Sequence, residues 1–161
     1  MGGGALLELS HEFDYLSWIF GRFDKVFCIT SNSGQLEIDV EDRADIMLSR
    51  ADGVVAQLHM DFLQHKATRQ CKVIGEHGTL LWDLNANSIV FETASGEEPL
   101  FAEPAVDRND MYVEQLRGFI EVAAGRAAPR ITLHDGLAVL AMVEAMRLSS
   151  ATGLPASIQA Q

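Results

Sequence analysis

A histidine stands among carboxylates near the N-terminus, where Glu8, Ser10, His11, Glu12 and Asp14 follow one another closely. A neighbouring carboxylate raises an imidazole's pKa or fixes its tautomer, and a histidine held that way suits general base work. The same residues also read as a capped helix start with an exposed His11, Ser10 being the cap and the acids filling the first turn. A second set, His59, Asp61 and His65, supplies metal-ligand types. On a strand His59 and Asp61 share a face, whereas His65 belongs to the turn beyond. Other candidates read as structural. Gly2-Gly3-Gly4 lacks the Gly-x-Gly-x-x-Gly order and no Walker lysine follows it. Ser149-Ser150 has no Gly-x-Ser-x-Gly setting. Cys28 and Cys71 lack Cys-x-x-Cys spacing and sit in apolar stretches, as buried free thiols do. His77 falls in a turn beside Gly78, and His134 at a helix start.

The elements that must position these residues follow from periodicity. Ala5 to Leu9 is a short apolar run, expected to be extended and to turn sharply into a helix from Ser10 to Phe20, with Gly21 closing it. From Lys25 to about Phe91 the apolar period becomes two. Val54, Ala56, Leu58, Met60 and Phe62 line one face of a strand, with Val55, Gln57, His59 and Asp61 on the other. Asp52-Gly53 joins this strand to the run Ala44 to Arg50 as an antiparallel hairpin. Further strands are expected at Lys25 to Thr30, Arg69 to Gly75, Thr79 to Asp83 and Ser88 to Thr93. Ala94 to Asn109, with Gly96, Pro99 and Pro104, reads as a loop. Two helices close the chain. One, about Asp110 to Ala124, stacks Tyr112, Leu116, Phe119, Ile120 and Ala123. The other starts at a Thr132/Asp135 capping box and ends at Gly153 before Pro155, and its wide apolar surface must meet both sheet and helix. The order predicts an α+β fold: one large, mostly antiparallel sheet with helices on one face. The other face, with Met47 and Val55 among polar neighbours, is open to another subunit.

Length and charge bound the partners. The chain has 161 residues, enough for one domain with its own core, and a formal charge of −11 from 23 acidic and 12 basic side chains. Such an excess argues against nucleic acid, whose affinity rests on Lys and Arg, and no basic patch suits a membrane. No apolar run approaches a membrane span, and the N-terminus has no signal-peptide pattern, so a cytoplasmic protein is expected.

At this point the residues resemble a family. Gly2-Gly3-Gly4-Ala5-Leu6-Leu7-Glu8-Leu9-Ser10-His11-Glu12-Phe13-Asp14, with Trp18 and Gly21, resembles the segment that opens the second half of the substrate domain in the glucose-fructose oxidoreductase/inositol dehydrogenase/MocA family. The likeness continues through Ala44-Asp45-Ile46, Asp52-Gly53-Val54, Gly75-Glu76-His77-Gly78-Thr79 and residues 145–153. Members pair a nucleotide-binding domain with a C-terminal α/β domain, and this sequence resembles the second alone. The resemblance therefore implies one substrate and dimerisation domain over residues 1–161, with the N-terminal nucleotide-binding domain absent. Met1 before the glycines is what a truncated gene product or fragment would give.

The resemblance also implies roles. His11, in the His-x-x-Asp spacing to Asp14, takes the hydroxyl proton while hydride leaves the same carbon for NAD or NADP. Asp14 belongs with it as a substrate-binding residue. The family often carries an Asp four residues before the histidine; here that position is Leu7, and Glu8, three before, is the expected partner of His11. The stretches Val55 to Arg69 and Asp107 to Tyr112 are similar to sugar-modifying members, which implies substrate contacts from Arg69 and Asn109. Alternatively, Arg69 makes a surface ion pair and Asn109 caps the next helix. The implied function is the substrate-binding and oligomerising half of an NAD(P)-dependent sugar or polyol oxidoreductase. It would form a homodimer through the outer sheet face, hold no cofactor itself and be inactive alone. The rivals are a non-catalytic dimerisation or ligand-binding module and a metal-dependent hydrolase built on His59 and Asp61.

Overall fold

The computed structural model describes residues 3–103 and 107–159. The chain divides into two compact units, Met1–Leu63 with Arg130–Gln161, and Gln64–Pro129. The class is the α+β expected, but the strands form two four-stranded sheets in place of one.

The first unit holds α1 (Gly4–Glu8), α2 (His11–Phe20), β1 (Lys25–Ser31), β2 (Arg43–Ser49), β3 (Val55–Asp61), α4 (Leu133–Thr152) and β8 (Ala156–Ser157). Its antiparallel sheet runs β3-β2-β1-β8. Ala44, Ile46 and Leu48 of β2 are buried on one face, with Val26 and Cys28 of β1 and Met60 of β3. Met142, Val143, Ala145 and Met146 of α4 complete this core. The period of two was legible because one face is buried and the other is wet. As the wide apolar surface of α4 required, it meets both β1 and α2: buried Ser149 Oγ accepts from Cys28 N at 3.0 Å, and Ser17 Oγ lies 3.4 Å from Met142 Sδ. Burial pushes the Cys28 thiol up to about 12, with Glu41 and Asp45 adding to it, so at neutral pH it is an inert core residue.

Two local expectations are corrected at the N-terminus. Ala5 to Leu9 is not extended: Gly4–Glu8 is a short helix, with Ala5 and Leu6 buried. Its first amides find partners on Glu41, where the carbonyl accepts from Ala5 N at 2.9 Å and Oε1 from Leu6 N at 3.2 Å. Those partners are remote in sequence, so local pattern could not reveal them. Nor does Ser10 cap α2 with its side chain. Ser10 is already helical, and the Leu9 carbonyl accepts from Glu12 N in its place.

The second unit is a meander, β4 (Gln70–Gly75), β5 (Gly78–Asp83), β6 (Ser88–Thr93) and β7 (Gly96–Ala102), followed by α3 (Arg108–Ala123). Here the expected loop is corrected, since residues 96–102 form an edge strand. β7 is exposed throughout, so it shows no apolar period, and Pro99 is tolerated because it faces Val90 at a bulge on the sheet edge. Pro104, also read as loop, lies outside the described residues. On α3 the stripe Tyr112, Leu116, Phe119 and Ile120 is exposed.

The Thr132 capping box forms as read: Thr132 Oγ1 accepts from Asp135 N, and Asp135 Oδ2 accepts from Thr132 N at 2.7 Å. Gly153, left-handed at φ 67°, ends α4. Thr132→Ala should therefore cost about 1 kcal/mol, read as a lower denaturant midpoint at unchanged slope.

Candidate active site

His11 is the first residue of α2 and its ring is half exposed. Nε2 lies 3.0 Å from Glu12 Oε1. Glu8, expected beside the ring, instead accepts from Gly3 N through Oε1 at 3.3 Å. The carboxylate at His11 is thus its sequence neighbour, because α1 ends between Glu8 and α2. A carboxylate on Nε2 favours the tautomer with that nitrogen protonated, which leaves the Nδ1 lone pair as the basic site.

Asp14 is half-buried one turn further along α2 and lines a cavity of about 620 Å³ within the first unit. Tyr15, Trp18, Ile131, Val139 and Met142 contribute its apolar wall. Trp18 is 85% exposed, an unusual state for an indole and a stacking surface for a flat or ring-shaped ligand. Sequence reasoning missed Tyr15 and Trp18 as lining residues. Their signal was present as helical spacing from His11 and Asp14.

Arg69 and Asn109 belong to the second unit. Asn109 does not cap α3: Asp107 does, its Oδ1 accepting from Asn109 N at 2.9 Å. Asp107 stands before the helical residues, where a cap must, and Asn109 is already inside. Among the described residues no group of three or more His, Cys, Asp or Glu is placed to hold a metal ion. His59 has both ring nitrogens on carboxylates, Asp45 and Asp61, and no lone pair to offer. No helix among the described residues is long and apolar enough to cross a membrane.

Gly4 does not fit a nucleotide phosphate. A Cβ on Gly4 would overlap the Glu41 carboxylate, so that group already fills the space and would repel a second anion.

The first unit thus carries a helix that begins at His11 and lines a cavity from Asp14 onward. The family model for the GFO/IDH/MocA C-terminal domain matches residues 1–81, and the chain belongs to that family. Solved structures agree on the fold. Levoglucosan dehydrogenase, in complex with NADH and levoglucosan, superposes with a TM-score of 0.84 at 18% identity, over 99% of this chain and 51% of that one. An oxidoreductase domain protein from Kribbella flavida gives 0.82 at 18% identity, over 98% and 51%. An oxidoreductase from Agrobacterium radiobacter, in complex with NAD+, L-tartaric acid and magnesium, gives 0.75 at 20%, over 92% and 47%. The chain thus spans about half the length of these structures. No curated protein matches it in sequence.

Proposed function

We propose that this chain is the substrate-binding and subunit-pairing part of a cytoplasmic NAD(P)-dependent oxidoreductase acting on a sugar or polyol hydroxyl or ketone. The observation that carries it is His11, exposed with a carboxylate at Nε2, one turn from Asp14 at a cavity, in a chain of this family. His11 would take the proton of the reacting hydroxyl and return it in the reverse direction, while Asp14 would accept a hydrogen bond from a neighbouring hydroxyl. Trp18 would offer an apolar face to the ring carbons, and Arg69 and Asn109 would contribute further contacts. NAD(P) supplies the hydride acceptor in this chemistry and would be held by a nucleotide-binding part outside this sequence, a reading supported by the chain's spanning about half of a dehydrogenase solved with NADH.

Calorimetry tests this. NAD(H) and NADP(H) should bind a chain joined to a nucleotide-binding half and leave the 161-residue chain unbound, with a sugar or polyol then turning over only on the joined form. Cofactor binding without turnover of any sugar or polyol would favour the alternative, a pairing module that has kept the family fold. Ile29, Met47 and Val55, exposed on the open face of the first sheet, give that module its surface.

A further inference from the structure

The cavity beside α2 has a cationic end. Two guanidiniums line it, Arg22 from the turn after α2 and Arg130 from the stretch before α4. Two contacts fix how the helices run past each other: Ser17 Oγ lies 3.4 Å from Met142 Sδ, and Arg22 Nη2 donates to His134 Nε2 at 2.5 Å. Moving forward from Ser17 to Arg22 thus means moving back from Met142 to His134. The two helices are therefore antiparallel here, and the start of α4, with Arg130 just before it, lies by the end of α2. His11 opens α2 at the opposite end. The order along the helix is His11, then Asp14 one turn on, then the two arginines beyond Phe20, which stands roughly 9 Å past Asp14 at the α-helical rise.

The charged groups of this cavity are unevenly matched. Asp24 Oδ2 accepts from Ala51 N at 2.6 Å, and Asp135 Oδ2 accepts from the Thr132 amide and hydroxyl at 2.7 Å each. Among the described residues, none donates to the Asp14 carboxylate and none accepts from the Arg130 guanidinium. Arg22 gives one N–H to His134 and keeps its others. Between the two ends lie the exposed ring of Trp18 and the apolar side chains of Ile131, Val139 and Met142. A ligand that satisfies this set has hydroxyls at one end, a carbon frame in the middle and a planar anion at the other, which a guanidinium fork matches. Resting on the sugar or polyol reading of the proposed function, we propose that the substrate is a sugar acid of five or six carbons, with its carboxylate on Arg130 and Arg22 and its reacting hydroxyl at His11, remote from the carboxylate. A phosphate ester fits less well, because its second charge would be set against Asp24 and Asp135. Asp14 and the arginines select opposite ends of one molecule, so the acid enters in one orientation.

Tryptophan fluorescence of the 161-residue chain tests this, since Trp18 lines the cavity and the other tryptophan, Trp82, belongs to the second unit. D-Glucuronate is titrated against D-glucose and D-gluconate against D-sorbitol, with glucose 6-phosphate as the phosphate probe. Each acid should bind about tenfold more tightly than its neutral counterpart, and added salt should shrink the advantage. Arg130→Gln should remove most of it, and Trp18→Phe should silence the signal. In an enzyme joined to a nucleotide-binding half, the acids should show the same advantage in kcat/KM. Equal binding of acid and neutral compound, or an acid advantage that survives Arg130→Gln combined with Arg22→Gln, overturns the carboxylate site and leaves the sugar reading intact. Tighter binding of glucose 6-phosphate than of either acid overturns the choice of carboxylate. If no compound changes the signal, the cavity is not the substrate site and the proposal falls. Failure of the joined enzyme to turn over acid or neutral compounds overturns the sugar or polyol reading itself.

Discussion

If His11 is the general base proposed above, replacing it with alanine, in an enzyme that joins this chain to a nucleotide-binding half, is expected to lower kcat about a hundred- to ten-thousandfold, the range a positioned general base contributes. KM should move little, because the lost interaction belongs to proton transfer and not to ground-state binding. Added imidazole should restore part of the rate. Unchanged turnover would end the assignment. The same assay separates the two neighbouring acids. Glu12 lies at Nε2, so Glu12→Gln should cost about tenfold through loss of tautomer control. Glu8 accepts from the Gly3 amide instead, so Glu8→Gln should leave kcat within about twofold.

This contrast marks where the sequence was informative. The strands of the first unit were legible because each buries one face and wets the other, and the capping box of α4 because all its members lie within four residues. What escaped depends on distant partners. Residues 5–9, Ala-Leu-Leu-Glu-Leu, are good helix formers, but so short a segment does not hold a helix alone; Glu41, contributed by the loop before β2, supplies acceptors for its first amides. β7 escaped for another reason, since an edge strand exposed along its whole length imposes no apolar period. That His11 and Asp14 lie one turn apart on one helix was legible from their spacing; which of the neighbouring carboxylates meets the His11 ring was not, because it turns on where one short helix stops.

Gly4→Ala is expected to be the most damaging small substitution in the first unit, costing about 2–4 kcal/mol. Two effects add. Gly4 has φ 72°, a conformation that L side chains rarely adopt, and the new methyl would overlap the Glu41 carboxylate that bonds Leu6 N. Gly34→Ala isolates the first effect, for Gly34 has the same φ of 72° with nothing within 4 Å, and it should cost about 1 kcal/mol. Urea titration of both variants reads the difference. Equal losses would mean that the Glu41 contact contributes nothing.

The first unit is discontinuous in sequence: β1 receives the Ser149 hydroxyl from a helix that follows 66 intervening residues, 64–129. On a ribosome adding about 5–20 residues per second, that insertion keeps the unit waiting on the order of 3–13 s. During the interval the nascent sheet has its inner face, Val26, Cys28, Ile46 and Leu48, without the helix that later covers it. The newborn chain is then a natural client for a chaperone that holds apolar strands, and its yield in a cell should respond to translation speed across residues 64–129 more than to any equal stretch elsewhere.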